Sequence, residues 1–420
     1  MTLGIAIRSL IALTFSACIA LLTLQRATVP PPSAITDVIN VPTIVAGQGL
    51  FIASTPQPAA TTVPGHAVAA TPTPRSRTFV PQQEVTLIPR VEGHIFYVMP
   101  GQNLAVIGGH RPRQDLTGDS VSVAPALTSD GSQLAFVRFM ASYSDVLTTR
   151  VHYGAQGLIR IDQASYLTQD ATPPGAPAGY DPRYYWWAMK PSWMPDGQHL
   201  LYLSDRPGFD STDPTKADMA VFEQGVTDTV TNAVQLSTPV AGTGGADSPG
   251  WRPNDPAVFI YTDYYHDNTM PNGEGQIKAA MAVTETAPQG NPIALTPDRV
   301  TEFQPAWSPD GHYIAFAENK AGGHADLKVM AYHRPGALGD YYNAVTIQQG
   351  VPYAVQPFWS PDGRYLGYLA NNGIGGDFEM YVRPVIYPRR KGDPLAFGLP
   401  VHLFQAGTVS ADYRPAWGAQ

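Results

Sequence analysis

Short apolar triplets recur along residues 120–420 behind a fixed turn signal: Leu134-Ala135-Phe136, Leu200-Leu201-Tyr202, Ile314-Ala315-Phe316 and Leu366-Gly367-Tyr368. Each follows an Asp-Gly pair, at Asp130-Gly131, Asp196-Gly197, Asp310-Gly311 and Asp362-Gly363. Asp-Gly between apolar runs predicts a hairpin, because glycine takes a positive φ at no steric cost. Upstream of the turns stands another short run, ending in Pro-x-Trp: Lys190-Pro191-Ser192-Trp193, Ser248-Pro249-Gly250-Trp251, Gln304-Pro305-Ala306-Trp307, Gln356-Pro357-Phe358-Trp359 and Arg414-Pro415-Ala416-Trp417. A sixth copy, Ala124-Pro125-Ala126-Leu127, has leucine at the aligned position. A further apolar run follows an acidic residue in several copies, as in Asp218-Met219-Ala220-Val221, Asp326-Leu327-Lys328-Val329 and Asp377-Phe378-Glu379-Met380-Tyr381. Helical periodicity is scarce, so each copy predicts an antiparallel sheet.

The aligned positions lie 52 to 66 residues apart, and all six keep proline two residues earlier. A sheet repeated at a steady period can close radially into a propeller, which leaves only short, protected edges. The copy after Trp251 departs from the others, reading Arg252-Pro253-Asn254-Asp255-Pro256. Trp-Ser-Pro-Asp-Gly followed by an apolar triplet resembles the TolB-like (WD40-like, PD40 repeat) propeller family, over roughly residues 88–420. Intracellular WD40 repeats fit poorly, since no Trp-Asp dipeptide occurs and their period is about 40–45 residues. The expected fold is an all-β, six-bladed β-propeller closed by a C-terminal strand. Tyr413–Trp417 has no hairpin after it, whereas the runs Gly93–Val98 and Leu104–Ile107 have no Trp segment before them. Each supplies what the other is missing.

Two segments of different character precede the repeats. Ser9–Leu24 carries no charge, and with Leu3–Ile7 it makes about 22 mostly apolar residues, near the ~20 that cross a bilayer as a helix. Residues 1–27 are therefore expected to form an uncleaved signal-anchor helix, with a cleaved signal peptide as the competing reading. Residues 28–85 hold Pro30-Pro31-Pro32, Thr55-Pro56-Gln57-Pro58 and Thr71-Pro72-Thr73-Pro74 in an Ala/Thr-rich stretch. Proline fixes φ and removes donors, so this segment is expected to be an extended, disordered linker. Residues 86–420 make the propeller. Cys18, the only cysteine, lies in the apolar run, so no disulfide framework is available. The apolar run continues past it through Ile19–Leu22, which argues against lipidation there. The arrangement points to an extracytoplasmic domain, periplasmic or at the cell surface, tethered to the membrane or secreted if the segment is cleaved.

Composition narrows the partners. Charged residues make up 14% of the chain against a usual ~25%, and the many Gly, Pro and Tyr favour short strands and turns. The net charge is −8, and the basic excess of residues 1–85 (four Arg against Asp37 and Glu84) leaves the repeat region more acidic still. Without a basic stripe, nucleic acid is excluded as a partner. No G-x-S-x-G, HExxH or P-loop sequence occurs, so the chain is not expected to be an enzyme, and no cofactor is implied.

Binding is the expectation that the TolB-like resemblance carries, with an envelope or surface protein as partner. Loops opposite the Asp-Gly turns are the candidate surface. One holds five aromatic residues within eight positions: Tyr180, Tyr184, Tyr185, Trp186 and Trp187. Rings of this kind dominate binding hot spots and sugar-stacking platforms, so a glycan is the alternative partner; the rings could equally pack between blades. The other loop holds Asp263, Tyr264, Tyr265 and His266, followed by Asp267. Its ligand types suit zinc or manganese, but the spacing is not diagnostic and a solvated turn is the expectation. Lys190 and Arg414, with Gln304, Gln356, Asp247, Glu302 and Asp412, are placed around the axial opening, as a binding ring or as a satisfied network. A third role, as accessory subunit of a membrane complex, would rest on the anchor.

Overall fold

A computed structural model describes residues 92–419 except 109–111, 141–142, 155–156, 169–185, 207–217, 229–231, 240–244, 266–273, 282–291, 298–300, 321–323, 334–337, 349–352, 372–375, 391–392 and 404–405. The expected membrane segment and linker lie outside these residues. Among the described residues no helix is long and apolar enough to cross a membrane, and the single α-helix spans Leu338–Tyr342.

The chain is a β-propeller of antiparallel meanders. Ser122–Leu127, Gln133–Phe139, Ser144–Tyr153 and Ile159–Ile161 make one; Ala188–Trp193, His199–Ser204, Ala220–Gly225 and Val234–Gln235 the next. Ala246–Arg252, Asp255–Tyr265, Glu274–Met281 and Ile293–Ala294 follow in the same order. Glu302–Trp307 and Tyr353–Trp359 each begin a further meander, and a lone parallel pairing of Ala325 with Tyr353 joins these two. The strand Ala416–Gly418 pairs antiparallel with His94–Met99, setting Trp417 opposite Ile95. The strands bearing the Pro-x-Trp or Pro-x-Leu segments touch their neighbours in chain order, and Ala416–Gly418 touches Ser122–Leu127.

The repeated residues explain this architecture. In each of five copies the residue before the proline is left-handed: Ala124, Lys190, Ser248, Gln304 and Gln356 have φ between 48° and 57°. The ladder register shifts at the same place, between Val123 and Ala126, Asp247 and Gly250, Phe303 and Ala306, and Val355 and Phe358. A proline has no N–H to offer the ladder, so it sits where a bulge has already broken the pairing. The tryptophan then links sheets. Trp193 Nε1 donates to the Ala126 carbonyl at 3.1 Å and Trp359 Nε1 to Ala306 at 3.2 Å, each one residue before the aligned position of the preceding copy. Trp417 Nε1 donates to the Glu92 carbonyl at 3.0 Å. The apolar triplets fill the space between, with Leu134, Leu200, Ile314 and Leu366 fully buried.

The Asp-Gly turns are fastened twice. Within the turn, Ser308 Oγ donates to Asp310 at 2.5 Å and accepts the Tyr313 N–H at 3.0 Å; Ser360, Asp362 and Tyr365 repeat this at 2.6 and 2.9 Å. Side chains from other strands hold the turn glycines: Tyr153 bonds the Gly131 carbonyl, Gln133 that of Gly197, Arg252 that of Gly311 and Tyr387 that of Gly363. Gly363 has φ +71°, and a Cβ there would lie 2.5 Å from the Tyr387 hydroxyl. Gly363→Ala is therefore expected to cost about 1–2 kcal/mol, read as a lower urea midpoint; an unchanged midpoint would mean that the turn relaxes freely.

Candidate functional site

The bulged strands converge on the axis and carry polar side chains there. The Lys190 ammonium pairs with the Asp247 carboxylate, whose side chain is almost fully buried. Ser248 Oγ donates to the other Asp247 oxygen at 3.2 Å. Arg414 Nη2 donates to the Pro305 carbonyl at 2.9 Å. Burial lowers the Arg414 guanidinium to about 10, an effect that the nearby Asp247 opposes, so it stays charged at neutral pH. Burial raises the Asp412 carboxyl above its usual range, while Lys190 and a Ser410 hydrogen bond pull it down less strongly. Lys190 and Arg414 thus share Asp247 as a counter-charge.

The glutamines beside them form a chain of their own. The Gln356 N–H donates to Gln304 Oε1 at 2.8 Å, and Gln356 Nε2 to the Ala411 carbonyl at 2.9 Å. The Gln304 N–H meets Thr262 Oγ1 at 3.2 Å. These bonds tie successive bulges to one another, which stiffens the axis and offsets the strain of the left-handed residues.

Along the axis runs a cavity of about 560 Å³. Its wall extends from the residues before the prolines to the start of the Asp-Gly turns. Pro125, Pro191, Pro249 and Pro415 line it, as do Trp193, Trp251, Trp307, Trp359 and Trp417, with Lys190, Gln356 and Arg414 among the polar residues. The volume is in the range of small-molecule sites, about 300–1,000 Å³. The repeat that builds the sheets therefore also builds the cavity wall.

No family model and no curated protein matches this chain. Among solved structures, TolB from Acinetobacter baumannii is similar at 15% identity and a TM-score of 0.49, covering 78% of this chain and 67% of that one. The likeness is to TolB and other propellers. A protein from Lactobacillus plantarum is similar at 12% identity and TM-score 0.41, over 78% of this chain and 99% of that one. The β-propeller domain of the Trilobed protease from Pyrococcus furiosus is similar at 11% and 0.37, over 68% and 77%.

Within the propeller the residues singled out in the sequence fall into separate places. Tyr180, Tyr184, Tyr185 and His266 lie outside the described residues. Trp187 is buried, its ring stacked on Phe139 with centroids 5.0 Å apart, and its backbone N–H donates to Asp205 Oδ1 at 2.7 Å. Trp186 is half-buried, with the Arg206 guanidinium 5.5 Å from its ring centroid. Asp263 is buried opposite Ala246 in the ladder, and the Tyr264 N–H bonds the Gly245 carbonyl; Tyr265 ends the same strand. Of the residues placed at the axis, Lys190, Asp247, Arg414 and Asp412 come together. Glu302 does not join them: it pairs in register with Glu318, beside Lys328 and Tyr341. The tryptophans as a cavity wall were missed in the sequence, although their common register put them all on the same strand of each copy.

Proposed function

We propose that this chain is a membrane-tethered, extracytoplasmic six-bladed propeller that acts as a non-catalytic protein-interaction scaffold. The six Pro-aligned copies and the pairing of Ala416–Gly418 to His94–Met99 support a count of six blades closed by the C-terminal strand. One observation carries the scaffold reading: the Asp-Gly turns are locked by inter-strand hydrogen bonds, so that loops at the opposite end present on a rigid frame. Rigid frames with variable loops are how folds of this kind bind partners. The aromatic concentration ending at Trp186 is the richest of those loops. Residues 1–27 supply the anchor and residues 28–85 the reach.

The test replaces Tyr184, Tyr185 and Trp186 with alanine in the full membrane-bound chain, sparing Trp187 because its ring is core. Partner capture after mild crosslinking should fall about tenfold or more, since aromatic hot spots cost ≥2 kcal/mol each, with melting unchanged. Undiminished capture would overturn the role of this loop. Loss of retention on immobilised glycans, with protein capture intact, would turn the reading to carbohydrate binding.

A further inference from the structure

Eight large apolar side chains are exposed among the described residues, and six of them stand at one topological position. Leu158, Val234, Ile293, Tyr342, Ile386 and Tyr387 each lie where a third strand passes to a fourth. The five meanders that begin at Ser122, Ala188, Ala246, Glu302 and Tyr353 each contribute at least one. Tyr342 is 70% exposed and Ile386 55%. Exposed apolar residues scattered singly are ordinary. The same position filled in five successive sheets is not scatter.

This position lies at the Asp-Gly end of the propeller. In four meanders the N–H of Val151, Val226, Tyr332 or Val385, near the close of the third strand, donates to the carbonyl just after the turn glycine, on Ser132, Gln198, His312 or Arg364. The described chain enters at this end too. Trp417 Nε1 holds the Glu92 carbonyl, and Gly418 lies beside Gly131. The chain before residue 92 is therefore joined to the end that carries the apolar ring.

Charge marks one sector of the ring. Arg389 and Arg390 are exposed just after Tyr387, and among the described residues no carboxylate pairs with either. Arg364, beside them, lies 3.5 Å from Asp362. The turn carboxylates of Asp130, Asp196, Asp310 and Asp362 each accept a backbone N–H of their own turn, at 2.8 to 3.1 Å. They stay negative, so attraction at this end comes from the apolar ring first and from the arginines in their sector only. Single apolar side chains set around one end of a propeller make no groove for a peptide. They match a partner that is flat and continuous. We propose that this end rests on the surface of a lipid bilayer, with the six apolar side chains entering the interface and Arg389 and Arg390 meeting headgroup phosphates. Tyrosine suits such a boundary, because one end of the ring is apolar and the other polar. The assignment rests on the tether proposed above, which keeps the domain beside a bilayer, and it turns the loop-rich face outward.

The experiment reconstitutes the full chain in vesicles of phosphatidylcholine with about one quarter phosphatidylglycerol, an anionic surface. In a Cys18→Ser background, Asn343→Cys, Ala396→Cys and Gly118→Cys each carry an environment-sensitive fluorophore. The first two stand beside Tyr342 and opposite Ile386; the third lies in a connection at the loop-rich end. Nitroxide-bearing lipids should quench the first two about threefold or more above the third. Tyr342→Ser with Ile386→Ser should lower the docked-to-free ratio about tenfold or more, with melting unchanged. Arg389→Glu with Arg390→Glu should lower it about fivefold or more, and high salt should remove only that part. Equal quenching at all three positions would overturn the assignment. So would no quenching in chains that float with the vesicles, a result that leaves the tether standing. Chains that fail to float would remove the tether; added vesicles that still quench the first two positions would then support docking, and their failure to do so would overturn it. Crosslinking of those positions to a protein, without lipid quenching, would give this end to a protein partner instead.

Discussion

Removing residues 411–420 is expected to lower the melting temperature of the whole domain by about 10 °C or more. The segment is short, but its bonds reach opposite ends of the sequence. Trp417 is buried and packs near Phe358 and Tyr365, with centroids 6.0 and 6.2 Å away, while its backbone pairs with Ile95. The Ala411 carbonyl accepts Gln356 Nε2, and Arg414 holds the Pro305 carbonyl. Truncation therefore empties a core position, exposes one side of His94–Met99 and frees two inner strands. Loss of one buried tryptophan alone costs about 3–5 kcal/mol, and each kcal/mol shifts Tm by about 2–4 °C in a domain of 150–250 residues.

The consequence extends beyond stability. His94–Met99 would become an open edge, a template for pairing with another chain. Light scattering of the truncated chain should rise with concentration, whereas Trp417→Phe should lose stability without gaining association. A truncated chain that melts with the parent would show that the first sheet does not depend on the last copy, and would remove the basis for closure.

The repeat was legible because its chemistry is periodic: proline, tryptophan and Asp-Gly keep one spacing whatever surrounds them. Their reasons were less visible. A residue before proline is ordinarily driven to extended backbone, so nothing in Gln304-Pro305 or Gln356-Pro357 signalled a left-handed bulge. That conformation depends on neighbouring bulges bonding one another, as Gln356 does with Gln304. The indole-to-carbonyl links likewise exist only between sheets, at a separation that no local pattern encodes. Trp187 reads as the end of an aromatic loop, yet it is the first core residue of the next sheet, stacked on Phe139. Two adjacent aromatics, Trp186 and Trp187, cannot declare which of them turns inward until a strand assigns the alternation. Glu302 was placed at the axis by its position before a proline, whereas cross-strand register sets it against Glu318.

That misplaced glutamate has the second large expected effect. Glu302 has no exposed surface, and burial raises its carboxyl from 4.5 to about 7. Glu318 faces it across the ladder and adds to the rise; Lys328, Tyr341 and Thr296 favour the ionised form, but less than burial opposes it. Glu318 itself pairs with Lys320 and Lys328, and the Lys328 ammonium lies 5.4 Å from the Tyr341 ring centroid. Lys328 is therefore shared and cannot fully serve Glu302. A carboxyl whose folded value exceeds its unfolded one stabilises the fold below the unfolded value, and that contribution is lost as pH rises through the folded one. The window is about pH 4.5 to 7, and the full loss is on the order of 3 kcal/mol. Glu302→Gln keeps the shape and removes the ionisation. Its urea midpoint should match the parent near pH 4.5 and exceed it clearly at pH 8, leaving a flatter pH profile. Parallel profiles for the two proteins would show that Glu302 is ionised at little cost, and that the lysines beside Glu318 serve both carboxylates.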